Sequence, residues 1–276
     1  MYALSLPCRR LISLALISLV FASLARADDQ TTLTKEQIKH FLLTAKIIAS
    51  KQSGKGVTHP WRLTLSDGTI THDASFQGIN EFKSTVQLAN GNTEVNFVDS
   101  YKYNIAAYSL AELLGIEDLL PVYVERKWKG DSGSLSWWLP VKMDEADRKQ
   151  KHIEVPDENK DSWNNQMYRI RVFDQLVYDN DANLTNVLIG GNWQIWRVDF
   201  TRAFRLSKDL RSPGDLVRCD RKLLDKLKAL DGNELGEKTK HYLSKDEVKA
   251  VIARRDKIVL RFQQLIAEKG SDEVLY

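Results

Sequence analysis

The chain has 276 residues, with 40 Lys and Arg against 37 Asp and Glu and a formal net charge of +3. Arg9 and Arg10 precede an apolar run from Leu11 to Leu24, and Ala25-Arg26-Ala27 follows with a small-x-small cleavage pattern, so residues 1–27 read as a secretory signal peptide. Its removal takes away Arg9, Arg10 and Arg26 and no acidic residue, which leaves a formally neutral chain with no charge footing for nucleic-acid binding.

The apolar run is shorter than the roughly 20 residues a membrane span needs. The mature chain is expected to be periplasmic or secreted, with no stable membrane anchor after cleavage. Cys8 leaves with the leader, and Cys219 alone has no partner for an internal disulfide. Such a fold must rest on a buried core, as one two-lobed domain or two closely packed ones.

Thr34 with Gln37 has the form of a capping box, and Ile38, Phe41, Leu42, Ala45 and Ile48 follow at helical spacing, which predicts a helix over 35–51. Ser53-Gly54-Lys55-Gly56 ends it. Strands are predicted over 62–65 and 70–76, across the turn Ser66-Asp67-Gly68-Thr69. A helix through Asn104 should run to Leu114, where Gly115 stops it. Leu119 to Glu125 reads as a strand, and Gly130 to Ser134 as a turn into a strand from Leu135 to Pro140. Trp128, Trp137 and Trp138 gather there, either to pack or to stack a ligand. Met143 to Trp163 has the charged composition of a solvated connection.

From Trp163 the apolar positions Met167, Ile170, Phe173 and Val177 give a helix ending near Tyr178. A polar loop, Asp179-Asn180-Asp181-Ala182-Asn183, then feeds two strands, Val187 to Ile189 and Trp193 to Phe200, turning at Gly190-Gly191-Asn192. A turn centred on Gly190-Gly191 pairs residues whose numbers sum to about 381 and sets Asp199 opposite Ala182. The carboxylates of Asp181 and Asp199 and the amide of Asn186 are then expected to converge. Like charges so placed call for a shared cation, and hard oxygen donors suit magnesium or manganese with phosphate oxygens completing the shell. Further helices are predicted over 215–229, closed by Gly232, and from the Ser244/Glu247 capping box to Gly270. A β-rich first half before a helical second half makes the fold class α+β.

The stretch from 169 to 205 resembles the catalytic and metal-binding loops of the protein-kinase-like superfamily: an Asp, an Asn five residues on, then a hairpin ending in Asp-Phe. It is most similar to the divergent branch that holds phosphoinositide kinases, HipA toxin kinases and secretory-pathway casein kinases. Within that branch it looks like exported bacterial proteins with an FDxLxxNxDRNxxNxLI-type loop. The resemblance implies a small β-rich N-lobe over 28–145 and a mainly helical C-lobe over 146–276. It implies ATP or another nucleotide, a magnesium or manganese ion and a hydroxyl acceptor.

By the same resemblance Asp181 would orient or deprotonate the acceptor, with Asn186 and Asp199 holding metal. Gly54 and Gly56 would face the phosphates, or simply stop a helix. Gln77 stands where such proteins carry a Lys and Asn104 where they carry its Glu partner, so two neutral amides replace an ion pair and could bond each other or the nucleotide, which makes both candidate cofactor-binding residues. Lys83 is a nearby alternative cation, and Ala182 replaces a common Arg.

The five histidines are dispersed, without paired-ligand spacing, and no G-x-S-x-G elbow occurs. Cys219, read on a helix, has no nucleophile motif around it. A kinase-like phosphotransferase is the function that the resemblance implies. The alternative is a degenerate exported relative that binds a nucleotide, metabolite or protein without transfer, favoured by Gln77, Asn104, Ala182 and an ATP-poor compartment.

Overall fold

The computed structural model describes residues 33–52, 60–87, 91 and 93–276. The leader expected over 1–27, and Gly54 and Gly56, lie outside the described residues.

Thr34 and Gln37 form the expected capping box, but helix α1 (Lys35–Thr44) stops seven residues short of the predicted end. Ala45 turns extended, and Lys46–Gln52 becomes strand β1. The β-branched Ile47 and Ile48 suit a strand better than a helix end. Arg126 donates to the carbonyls of Leu42 and Ala45 (2.6 and 2.7 Å) and so satisfies acceptors left open at that helix end.

Strands β2 (Trp61–Ser66) and β3 (Thr71–Gln77) follow as predicted. The next element, an antiparallel hairpin of β4 (Asn80–Gln87) and β5 (Thr93–Ser100), has no counterpart in the predicted elements. Helix α2 (Lys102–Leu114) ends at Gly115 in the left-handed region, φ 68°, as expected. Strands β6 (Tyr123–Trp128) and β7 (Asp131–Trp137) lie off their predicted positions, because the turn is Lys129-Gly130, both at positive φ. Residues 131–134, predicted as turn, are strand.

These strands form one antiparallel sheet in the order β1-β2-β3-β7-β6. Alternation splits its faces. Leu63, Leu65, Ala74, Phe76 and Leu135 are buried in a core shared with α1 and α2. The opposite face carries Arg62, Ser75, Gln77 and Ser136.

The predicted connection over 143–163 is instead structured: strand β8 (Val141–Asp144), helix α3 (Glu145–Gln150) and the start of helix α4 (Lys160–Val177). Asp144 caps α3 by accepting the Asp147 N–H, and buried Glu145 pairs with Arg148. These charged residues make ordered bonds, so composition alone misled. Strand β8 pairs with β9 (Val187–Gly190), which pairs with β10 (Ile195–Arg197).

The remaining helices are α5 (Arg221–Ala229), α6 (Gly232–Lys238), α7 (Lys245–Lys269) and α8 (Ser271–Val274). Asp231 caps α6 through Asn233 and Glu234, so Gly232 opens a helix where it was expected to close one. Ser244 and Glu247 do form a capping box. Buried Cys219 precedes α5 in a bridge to Leu275, not on a helix. Arg254 of α7, fully buried, donates to the carbonyls of Leu176, Arg205 and Ser207, fastening α7 beneath α4 and the chain after β10. The fold is α+β, with its main sheet in the first half and its helical layer in the second. No helix among the described residues is long and apolar enough to cross a membrane.

A Cβ on Gly133 would lie 2.5 Å from both the Gln77 carbonyl and the Phe76 ring, whereas one on helical Gly236 meets nothing within 4 Å. Gly133→Ala should cost about 2–3 kcal/mol through overpacking, and Gly236→Ala should be neutral or stabilise by up to about 1 kcal/mol. Urea midpoints at unchanged slope check both.

Candidate functional site

Helix α4 ends at Tyr178 with φ 49°, which swings the chain into Asp179. The Asp179 carboxylate, wholly buried, accepts the Asp181 N–H (2.9 Å) and pairs with Arg197, and its carbonyl accepts from Arg211 (2.6 Å). Arg197 also bonds Asp174 (3.1 Å) and is itself 1% exposed. One cation is therefore held between two carboxylates. Burial pushes the Asp174 carboxyl up to about 6, against the pull of Arg197. The triad fixes where the loop leaves α4 and where β10 runs.

Asn183 caps the short turn Leu184–Asn186, and the Asn186 amide donates to the Asp181 carbonyl (3.2 Å), closing the loop on itself. That assigns its Nδ2 to the loop and leaves Oδ1 as its acceptor.

The hairpin register differs from the expected one. Ile195 pairs with Ile189 and Arg197 with Val187, a residue sum of 384, because the Gly190 N–H bonds the Gln194 carbonyl (2.8 Å) and the turn takes three residues, Gly191 to Trp193, with Trp193 at φ 63°. The ladder runs one bond further, from the Val198 N–H to the Asn186 carbonyl (3.0 Å). Asp199 then breaks away at φ 62°. A non-glycine residue in this region is strained and persists only where its surroundings hold it.

The surroundings here are amides. Asp199 Oδ1 accepts from Gln77 Nε2 (3.4 Å) and Thr201 Oγ1 (3.2 Å). Asn104, fully buried, donates to Gln77 Oε1 (2.7 Å) and Ser134 Oγ (3.1 Å) and accepts the Phe200 N–H (2.7 Å). The two amides expected to bond each other do so, and they join β3, α2, β7 and the end of the β9–β10 hairpin. Burial pushes the Asp199 carboxyl above the usual carboxylate range, partly offset by the Gln77 and Thr201 hydrogen bonds and by Arg197.

Asp199 and Asn186 line a cleft of about 930 Å³ between the sheet and the β8–β9 side of the helical half. Gln77 lines it too. Asp181 does not: its side chain is exposed and accepts from Asn183 Nδ2 (3.3 Å). The expected convergence of three groups thus reduces to Asn186 and Asp199, with Asp181 tied to Asn186 through its backbone. The three-residue register shift and the self-bonded loop cause the difference. Lys83 pairs with Glu81 and sits over the Phe97 ring, away from the cleft lining, so it does not replace the missing cation. Trp128, Trp137 and Trp138 do not form one cluster: they pack against Trp61 and Phe76, against Phe41 and His72, and against Arg62, and Trp137 and Trp138 also line the cleft.

Among the described residues, no group of three or more His, Cys, Asp or Glu side chains is placed to hold a metal ion. Magnesium needs less, since it commonly takes one or two protein oxygens and completes its shell with phosphate and water. The Asp199 carboxylate and Asn186 Oδ1 are hard oxygen acceptors that line the same cleft.

Sequence reasoning missed Asp179, Arg197 and Glu94. Arg197 had a signal, because a charged residue in register with inward Ile195 must find buried partners. Glu94, on the overlooked β5 strand, accepts from Arg202, Arg205 (2.6 Å) and Asn180 (3.3 Å), docking the β4–β5 hairpin over the loop and the segment after Asp199.

No protein-family model matches the chain, and no curated protein matches it. Among solved structures it is similar to the proinflammatory kinase CtkA of Helicobacter pylori, at 11% identity over 83% of this chain and 96% of that one, with a TM-score of 0.45.

Removing Arg197 would leave two carboxylates without their cation. Arg197→Met should cost about 3–5 kcal/mol, whereas Lys249→Ala, which breaks an exposed pair with Asp246, should change stability by less than about 0.5 kcal/mol. Chemical denaturation of both variants tests the contrast.

Proposed function

We propose that the chain is a divergent protein-kinase-like phosphotransferase, using a nucleotide with magnesium or manganese and a hydroxyl acceptor. The observation that carries this reading is the strained Asp199, whose carboxylate shares a cleft with the Asn186 amide below a five-stranded sheet. Bound metal would supply charge neutralisation on the phosphates. The protein's own part would be positioning. Asp199 and Asn186 would hold the metal, and Gln77 would donate an amide hydrogen bond in place of a lysine charge. In the transfer the nucleotide's terminal P–O bond breaks and the nucleoside diphosphate leaves, a bond to the acceptor oxygen forms, and the acceptor proton would pass to the Asp181 carboxylate, which is exposed outside the cleft lining and would have to be met there by the acceptor. An address outside the inner membrane is part of the same proposal and rests on residues 1–27.

The second reading, binding without transfer, draws on Gln77 at the lysine position and on the Asp181 carboxylate, which lies outside the cleft lining. Radiolabel transfer separates the two: nucleotide binding without transfer to any hydroxyl acceptor selects the second.

Magnesium with ATP at 100 times its dissociation constant should stabilise the wild type by about 2.7 kcal/mol in a thermal shift. Asp181→Asn should keep that shift and lose transfer. No shift with any nucleotide or divalent ion contradicts both readings.

Asp199 also gives a pH signature. Its folded carboxyl titrates higher than its unfolded one, so the ionised form is disfavoured by folding and wild-type stability gains as pH falls through the raised value. Asp199→Asn should therefore raise the melting temperature of the ligand-free protein at pH 7, with the difference shrinking toward acid, and should abolish the magnesium-dependent shift. A variant that melts lower than wild type at pH 7, or keeps the shift, contradicts the assignment.

A further inference from the structure

The outer end of the cleft has two unlike faces. Its floor is apolar where Met143, Leu188 and Val198 line it. Its roof, the exposed face of the sheet, presents Arg62 on β2, Ser75 and Gln77 on β3 and Ser136 on β7, with Lys51 of β1 beside Arg62 and Tyr123 of β6 beside Ser136. No aliphatic side chain of β2 or β3 faces the cavity, because strand alternation sends Leu63, Leu65, Ala74 and Phe76 to the core.

Arg62 is held in place within that roof. Its Nε donates to Asp73 Oδ2 (2.7 Å) and its Nη2 to the same oxygen, while Thr64 Oγ1 fixes Asp73 Oδ1 (2.6 Å). The guanidinium carbon lies 4.5 Å from the centroid of the Trp138 ring, and about half of the side chain is exposed. Arg62 is opposite Ser75 in the ladder and bonds toward Asp73, on the side of β3 away from Gln77 and Asp199. This cation therefore sits at the end of the cleft remote from the metal donors. A planar guanidinium, already oriented by a carboxylate and an indole, offers a π-stacking surface that a point charge such as lysine does not.

We infer that Arg62 is a ligand-binding residue that covers the nucleobase of the bound nucleotide, stacking its guanidinium on a ring whose other side rests on Met143, Leu188 and Val198. The inference rests on the nucleotide reading above and adds to it the group that recognises the base. Arg62 acts on the ring and not on the phosphates.

The test is a competition titration against a fluorescent ATP analogue, with magnesium, comparing ATP and inorganic tripolyphosphate on the wild type, Arg62→Ala and Arg62→Lys. Arg62→Ala should weaken ATP by about tenfold and tripolyphosphate by less than about twofold, and Arg62→Lys should stay as weak as the alanine variant. The Arg62–Asp73 pair is half-exposed, so both variants should fold with nearly unchanged melting temperature. Equal loss for both ligands would place Arg62 on the phosphates, and full rescue by lysine would make charge rather than planarity the relevant property. Either result, or unchanged ATP affinity in Arg62→Ala, overturns the inference while leaving nucleotide binding intact. A wild type that binds neither the analogue nor ATP overturns the nucleotide reading itself.

Discussion

The carboxamide of Asn104 is the joint on which the rest of the structure depends. With no exposure to solvent, it bonds Gln77 on β3, Ser134 on β7 and the backbone of Phe200, and so links the main sheet and α2 to the hairpin that carries Asp199. A neutral amide can serve here because it donates twice and accepts from a backbone N–H without burying a net charge. An ion pair in the same place would carry a desolvation penalty on each partner. Gln77 passes the connection to the Asp199 carboxylate, which is why a strained residue keeps its orientation.

Two further arrangements hold the loop around that joint. Below it, Arg197 binds Asp174 and Asp179, and Asp179 holds the backbone of Asp181. Above it, Glu94 of the β4–β5 hairpin gathers Arg202, Arg205 and Asn180. Arg254 ties the segment after Asp199 to the long C-terminal helix. The segment from Asp179 to Arg205 is thus fixed by charged groups from three directions, while the cleft side of Asp199 and Asn186 stays open to a ligand. Rigid support of a few polar oxygens in that cleft is what the proposed phosphoryl transfer by positioning would draw on.

Much of this was readable in the sequence where periodicity and capping are local. The boxes at Thr34 and Ser244, the helix from Trp163 to Tyr178, the stop at Gly115 and the amide pairing of Gln77 with Asn104 all appear as expected. The errors have tertiary causes. Residues 46–52 follow a helical period but are claimed by pairing with β2. The charged stretch after Met143 is ordered by specific ion pairs that composition cannot reveal. The register of the β9–β10 hairpin failed because Asn192 and Trp193 lengthen the turn, and a three-residue error moved Asp181 out of the cleft. Asn90-Gly91, between two alternating runs, was an available sign of the β4–β5 hairpin. Glu94 had no comparable sign, since its partners lie more than 80 residues away.

The central claim is that the Asp199 carboxylate and Asn186 Oδ1 share one divalent ion in the cleft. Anomalous diffraction from crystals grown with manganese and a non-hydrolysable ATP analogue tests it most directly. A manganese peak within about 2.3 Å of both oxygens, bridged to phosphate, is the predicted result. A peak bound elsewhere, or an occupied nucleotide with no metal between these two side chains, would contradict the account.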